Sequence, residues 1–461
     1  MIGPATIAPR VRRSAAVSAF GHRNYRLFFS GQLISLIGTW MQQVAQGWLV
    51  LQLSGGNPFW LGVVAAAQFL PPMVFGLFGG VLADVLPKRQ TLIGTQVVQM
   101  ALAAILAILT ATGVVEIWMV VALALLLGGA SAVDMPVRQA FAIEMVGPRS
   151  VGNAVSINSA QFNGARVVGP AVAGIAIGAF GIATAFALNA ASFLAVIVGL
   201  AMMRDEELFR ARLLPRPRTV RAVVDNLAEG LSFVRHTPVV LMAVLTVGLA
   251  ATFGMNFTVI VPPLAQQVLA SDAAGYGFLM TASGVGALTA AVVLVIAGTP
   301  RAVRIPLGAI VLGTSSILLA LSTSYPLSLL LMIPVGAGGI TMAATANATI
   351  QLAVPDGLRG RVMSVYTTVF SASVPVGGIA VGALATALGV PLTVGIGGAL
   401  TLGVGLWALV WYRRIAQHSI AAGSWEAPAA VVPGPARQST APSTSAAFSP
   451  PNPNEVLSTR R

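Results

Sequence analysis

The 461-residue chain contains no cysteine, which excludes disulfides, thiol catalysis and cysteine-held metal sites. Histidine is nearly absent too: His22, His236 and His418 are scattered and make no ligand cluster, so no protein-held metal is expected. Charge is scarce, at 8% of residues against 56% hydrophobic ones, and a soluble fold of this length could not bury so much apolar surface. Lipid must cover the excess. A ten-residue alternation of apolar and polar residues is also missing, which argues against a membrane β-barrel. No pair of carboxylates, no Ser/His/Asp set and no metal-ligand spacing falls at one depth of the apolar stretches, so neither an enzyme nor a cofactor is expected.

What charge there is has a pattern. Lysine and arginine total 26 against 13 acidic residues, a net charge of +13. In a soluble protein that excess would suggest nucleic acid, but here the arginines lie along short gaps suited to anionic headgroups, so the lipid bilayer is the expected partner. Arg10, Arg12, Arg13, Arg23 and Arg26 precede the first apolar stretch, Lys88 and Arg89 lie in the second gap, and Arg138 and Arg149 flank the fourth. Arg204 to Arg235 fill the middle, followed by Arg301 and Arg304, Arg359 and Arg361, and Arg413 and Arg414. The intervening gaps hold none. Retention of basic residues in the cytoplasm then puts both termini inside.

About 20 helical residues, rising about 1.5 Å each, cross about 30 Å of hydrocarbon. Twelve such stretches are expected: 27–51, 59–83, 91–112, 116–135, 155–178, 182–203, 239–263, 275–297, 305–323, 327–348, 362–387 and 391–412. Each must be helical, because the bilayer core offers no water to satisfy backbone groups. The expected fold class is an all-α membrane protein, twelve transmembrane helices in two six-helix halves. Residues 1–26 form a cytoplasmic lead-in whose apolar part, Ala15 to Phe20, is too short for a signal-peptide core. Residues 27–203 make the first half, 204–238 a cytoplasmic linker, 239–412 the second half and 413–461 a Pro/Ser/Ala/Thr-rich tail expected to be disordered. Within the linker, Val220, Val223, Val224, Leu227, Leu231 and Val234 recur at helical spacing opposite charged residues, which predicts an amphipathic surface helix.

The halves resemble each other. A shift of about 208 residues carries Gly128 onto Gly336, Val146 onto Val354, Gly152 onto Gly360, Ser156 onto Ser364, Gly169 onto Gly377, Gly174 onto Gly382 and Gly181 onto Gly389. One register therefore serves the fourth and fifth stretches against the tenth and eleventh, as a parallel duplication predicts.

Several residues stand out chemically. Asp84, with Lys88 and Arg89 close after it, forms a charge cluster at the inner surface, and such pairs can be made in one conformation and broken in another. Asp84 and Arg89, with Asp134 and Arg138, are expected to latch the halves on the cytoplasmic side. Arg166 lies deep in the fifth stretch, where a cation costs roughly 2.5 to 3.5 kcal/mol on insertion scales and needs a partner or a cavity. Two roles are open for it: a structural clamp to Asp134 or a carbonyl, and a site for an anionic group. Gly169 and Gly174, with neighbouring alanines, make one flank small enough for close helix contact, and Pro170 offers a pivot. Polar and aromatic groups inside apolar stretches mark the expected substrate cavity: Gln42, Gln43, Gln46, Trp48, Gln68, Gln161, Asn163, Phe253, Asn256, Phe257 and Asn347. Amides and rings without carboxylates suit a bulky, partly apolar ligand. The candidate titratable groups, Asp84, Asp134 and Glu144, all lie toward the cytoplasmic ends.

Across about residues 20 to 414 the chain resembles the major facilitator superfamily. Gly80-Val-Leu-Ala-Asp84 followed by Lys88-Arg89 resembles that family's loop motif, with Val85 and Pro87 where Arg and Gly are usual. Gly169-Pro170 with Gly174 resembles part of the motif of its antiporting members. Asp134-Met-Pro136-Val-Arg138-Gln139, Asn153-Ala154-Val155, Asn158-Ser159, Asn163-Gly-Ala-Arg166 and Trp40-Met-Gln-Gln43 resemble the branch containing enterobactin exporters and macrolide-efflux-type proteins. The resemblance implies a monomeric secondary exporter of small organic molecules, such as drugs, siderophores or metabolites, driven by proton antiport in a bacterial inner or plasma membrane. An importer of the same fold, and a non-transporting scaffold, are the alternatives.

Overall fold

Every long apolar run becomes helix, since a helix alone satisfies its own backbone hydrogen bonds away from water. The structure, a computed structural model, describes residues 18–75, 86–209 and 220–421, and in them all regular elements are helical. In chain order they are α1 (Arg23–Leu53), α2 (Pro58–Phe75), α3 (Lys88–Ala111), α4 (Ile117–Phe180), α5 (Ile182–Ala201), α6 (Val220–His236), α7 (Pro238–Gly254), α8 (Phe257–Pro263), α9 (Ala273–Ile296), α10 (Arg304–Leu321), α11 (Tyr325–Ala353), α12 (Asp356–Leu388) and α13 (Val390–Ala421). Among the described residues ten helices are long and apolar enough to cross a membrane, with α7 and α8 counted as one and α4 as one. Helix α1 is as long, but Arg23, Arg26, Gln32, Gln42, Gln43 and Gln46 reduce its hydropathy, and it is not among the ten.

Three boundaries differ from the sequence reading. The expected gap between the fourth and fifth stretches is itself helical, so both merge into the 64-residue α4, interrupted only at Gly147 with φ 69° and ψ 169°. Positive φ favours glycine there. Pro148 cannot donate back to Glu144, and the backbone N–H of Phe209 supplies that hydrogen bond instead, at 2.8 Å. The seventh stretch is broken between Gly254 and Phe257, where the Asn256 amide turns back and donates to the carbonyls of Thr252 (2.7 Å) and Ala251 (3.3 Å). The tail expected from residue 413 is helical as far as Ala421, and its remainder lies outside the described residues.

The 208-residue register reappears in space. A Cβ on Gly128 would meet the backbone of Gln68 in α2, and one on Gly336 the backbone of Ser283 in α9. Gly169 lies against α1 and Gly377 against α7; Gly174 lies against Ala274 of α9 and Gly382 against Pro58 of α2. Ser156 and Ser364 each donate to the carbonyl four residues back, at 3.0 and 2.9 Å. Gly181 and Gly389 both end a helix, at φ 84° and 83°.

Packing differs between the two ends of the bundle. Toward the arginine-poor gaps, one continuous core draws on α1, α2, α8, α9, α11 and α12, including Trp48, Leu61, Val261, Tyr276 and Val381. Gly62 crosses Gly378 there, Gly277 crosses Pro170, Gln267 donates to the Gly56 carbonyl at 2.5 Å, and Thr386 donates to the Asn57 side chain at 2.7 Å. Toward the arginine-rich gaps the core is split. Tyr25, Phe28, Leu92, Phe141 and Met145 form one cluster, and Val240, Ile305, Met342, Ile350 and Val362 another. Helix α6 docks on the second cluster rather than lying free on a surface: Val234 is fully buried, Gly230 abuts the Arg361 carbonyl, and Glu229 pairs with Arg361.

Because Gly62 meets backbone, Gly62→Val should lower stability by about 1 to 3 kcal/mol through overpacking. Gly152, with nothing within 4 Å of its would-be Cβ, should tolerate Gly152→Ala and gain about 0.5 to 1 kcal/mol. Thermal unfolding of the two purified variants checks the contrast.

Candidate functional site

Two groups of polar residues were expected to act together, and the first is the charge cluster at the arginine-rich end. Gly80 and Asp84 lie outside the described residues, so their part of the latch has no structural account. Lys88, at the start of α3, pairs with Glu144 of α4 at 2.7 Å. Arg89 holds the far end of α5: its guanidinium donates to the carbonyls of Leu200 and Ala201, both at 2.8 Å, and to Asp205 at 2.7 Å. A cation there completes the last carbonyls of the helix and faces the negative end of its dipole. Asn24 exchanges hydrogen bonds with the backbone of Arg204 at 2.8 and 3.1 Å, tying α1 to the same segment.

Asp134, 6% exposed, is the centre of this belt. Arg138, one turn on, donates to its Oδ2 through Nε and a terminal nitrogen at 2.8 and 2.5 Å, while Thr95 and Gln96 of α3 donate to Oδ1 at 2.7 and 3.0 Å. The Arg138 guanidinium also lies 5.9 Å from the Phe28 ring. These pairs bind α1, α3, α4 and α5 to one another, all on the N-terminal side of the connector. The clamp considered between Arg166 and Asp134 is not formed, because Asp134 is already held from both oxygens by Arg138, Thr95 and Gln96.

The expected cavity residues divide. Gln43, Gln46 and Gln68 come together, with Thr258 of α8, around about 30 Å³ of open space, enough for a water molecule or two. Phe253, Asn256 and Phe257 line a second recess of similar volume with Ser316 and Thr393. The other five serve packing or local bonding. Trp48 stacks on Tyr276 at 6.3 Å in the shared core, Gln161 donates to the Phe29 carbonyl at 2.8 Å, and Asn163 donates to Ser159 on its own helix. Asn347 accepts from Gln351 at 2.5 Å, and the Gln42 amide oxygen accepts from Asn189 at 2.5 Å.

Arg166 stands apart. Its guanidinium lies 5.8 Å from the Trp40 ring centroid, and it pairs with no carboxylate among the described residues. The glycines expected to permit packing do so around it: Gly169 abuts Trp40, Gly284 abuts the Arg166 carbonyl, and the Pro170 carbonyl meets Gly277. Sequence reading overlooked Thr95, Gln96, Asn189 and Tyr276, although Gln96 and Asn189 give the same signal, an amide inside an apolar run, that singled out Gln43.

The family described as transmembrane secretion effectors matches residues 14–433. Among curated proteins, the staphyloferrin A transporter of Staphylococcus aureus is 25% identical over 275 residues, covering 58% of this chain and 66% of that protein. The multidrug efflux pump Tap of Mycolicibacterium fortuitum is 29% identical over 360 residues, covering 76% and 86%. Among solved structures, a peptide transporter of the POT type in complex with alafosfalin shares the fold, with a TM-score of 0.69 at 16% identity over 86% of this chain and 95% of that one.

Removing one member of the buried Asp134–Arg138 pair strands the other, so Asp134→Ala should cost about 3 kcal/mol of stability. The double variant Asp134→Ala, Arg138→Ala should lose less than the sum of the single changes. A double-mutant cycle by thermal unfolding in detergent reads the difference.

Proposed function

The chain belongs to the major facilitator superfamily, in its transmembrane secretion effector family, and from that premise we propose that it exports small organic molecules across a bacterial inner or plasma membrane in exchange for protons. It is a multi-pass membrane protein of a transporter family. The finer reading is a bundle of twelve crossings: α1 joins the ten candidate spans, and α4 contributes two arms divided at Gly147. Residues 27–203 and 239–412 then form two six-helix halves, a division supported by the matched environments of Gly128 and Gly336, Gly169 and Gly377, and Gly174 and Gly382. The basic gaps and both termini face the cytoplasm.

One observation carries the transport reading: a single core shared across the arginine-poor end and two separate cores at the arginine-rich end. That asymmetry is what alternating access requires, a pathway sealed outside and open inside. The seal consists of backbone crossings at Gly62, Gly174, Gly277 and Gly382, which can part without stripping charges of their partners. The charge belt of Lys88, Arg89, Asp134 and Arg138 braces helices of the N-terminal half at the inner face, and in the alternate conformation the second half would close against it to form the complementary gate. Amide side chains in two recesses, one between the halves and one in the second half, supply hydrogen bonds to a mobile, partly apolar cargo. Export is supported by the likeness to the multidrug efflux pump Tap. For protons, the candidates are the carboxylates toward the cytoplasmic ends, Asp84, Asp134 and Glu144.

Inside-out vesicles carrying the overproduced chain should take up drugs or siderophores when acidified inside, and lose that uptake when the pH gradient is collapsed. Uptake independent of the gradient overturns antiport, and cargo accumulation in intact overproducing cells gives import instead. The absence of cysteine makes the topology testable: Ser54→Cys and the exposed Ser324→Cys should both react with an impermeant thiol reagent added outside.

A further inference from the structure

We infer that Arg166, beside the Trp40 ring, is the receptor for a carboxylate or similar oxyanion on the transported molecule, so that amphipathic organic anions are among the substrates. The inference rests on the transporter reading and adds the charge class of the cargo. Lys88, Arg89 and Arg138 each hold a carboxylate, whereas Arg166 holds none among the described residues and has the Trp40 ring beside it, at 5.8 Å. A cation so placed within the bilayer is poised for an anion from elsewhere.

The fold does not require it. In the 208-residue register that pairs the two halves, the counterpart of Arg166 is Val374, which is also half-buried but apolar. A bundle that closes over valine on one side has no structural need of guanidinium on the other.

Geometry suits an oxyanion. The guanidinium lies 5.8 Å from the Trp40 ring centroid and meets no carboxylate among the described residues, and a guanidinium edge matches a carboxylate with two parallel hydrogen bonds. Phe162, one turn from Arg166 toward the arginine-rich end, meets Trp40 edge-on at 5.5 Å and extends an apolar wall beside the charge. Phe162 is 47% exposed, whereas Gly169 and Pro170, a turn beyond Arg166, are buried. Arg166 therefore sits between an exposed turn and a buried turn along this face of α4.

It also sits where the halves meet. Trp40, Gln43 and Gly47 follow one face of α1, and Gly47 lies against Tyr276 and Pro262 of the second half. On α4 the Arg166 carbonyl lies against Gly284 of α9. Gln43 lines the recess next along that face. An anion bridging Arg166 to Gln43 would lie against both halves, and its arrival or departure would be felt at the α4–α9 crossing.

An anionic lipid headgroup carries the same chemistry, and the test separates the two. Full-length protein in neutral detergent is titrated with a panel of arylalkyl carboxylates, each beside its uncharged primary amide, with thermal-unfolding shift as the readout. At least one carboxylate should bind about tenfold more tightly than its amide, the difference expected of charge-assisted hydrogen bonds. Arg166→Gln should abolish the preference while leaving amide binding in place, and Arg166→Lys should retain part of it. Should Arg166→Gln fail to fold, Trp40→Leu, which removes the ring beside the guanidinium, should weaken carboxylate binding selectively. The inference is overturned if the wild type never prefers the carboxylate, or if the preference survives in Arg166→Gln. Nanodiscs of phosphatidylcholine and of phosphatidylglycerol form the second arm: equal carboxylate affinity in both supports cargo, and Arg166-dependent competition by phosphatidylglycerol assigns the site to lipid. Proteoliposomes that move no panel compound would count against the transporter reading alone, because the carboxylate preference is measured at equilibrium.

Discussion

Backbone-to-backbone crossings at glycine hold the two sides of this bundle together. In lipid no hydrophobic force presses one helix on another, so cohesion depends on dispersion contacts where side chains shrink away and main chains approach. Gly62 against Gly378, Gly174 against Ala274, Gly277 against Pro170 and Gly382 against Pro58 are such places. They join α2 to α12 and α4 to α9, and they gather toward one end. Everything at that end follows: a core continuous across the helices, short tight gaps and few charges. Away from it the helices diverge and separate clusters form around Phe141 and around Met342.

The charged residues occupy the other end and serve a different purpose. Arg89 caps the terminal carbonyls of α5, Lys88 fixes α3 to α4, and Arg138 holds Asp134 beneath the apolar shell. Their strength comes from partial burial and from several hydrogen bonds to each group, since exposed pairs alone contribute little. Polar contacts thus brace one end of the bundle and apolar crossings the other.

Much of this was legible in the chain. Apolar runs of spanning length fixed which segments are helical, because bilayer physics leaves a backbone no alternative. The alternation of arginine between gaps set one end apart from the other. The glycine register of 208 residues was visible as a string and returned as matched packing, since a duplicated helix keeps its small residues where its neighbours come close.

Interruptions and partners were another matter. The Gly147 break and the continuity of α4 through the fourth gap depend on Phe209 reaching Glu144, and the break at Asn256 depends on an amide folding back on its own helix. Nothing in the local pattern distinguishes Gln43, which lines a recess, from Gln161, which donates to a carbonyl of α1, because both are amides in apolar runs. Arg166 stood out by sequence as a cation too deep to be idle, yet its partner could not be read there. The chain by itself determined the helices, their repeat and the sidedness of charge, all of which arise from forces acting within a few residues or between residue and lipid. Only the tertiary structure decided which polar group meets which, giving Asp134 to Arg138 and Trp40 to Arg166, because those pairings are set by helix rotation and crossing distance between segments far apart in sequence.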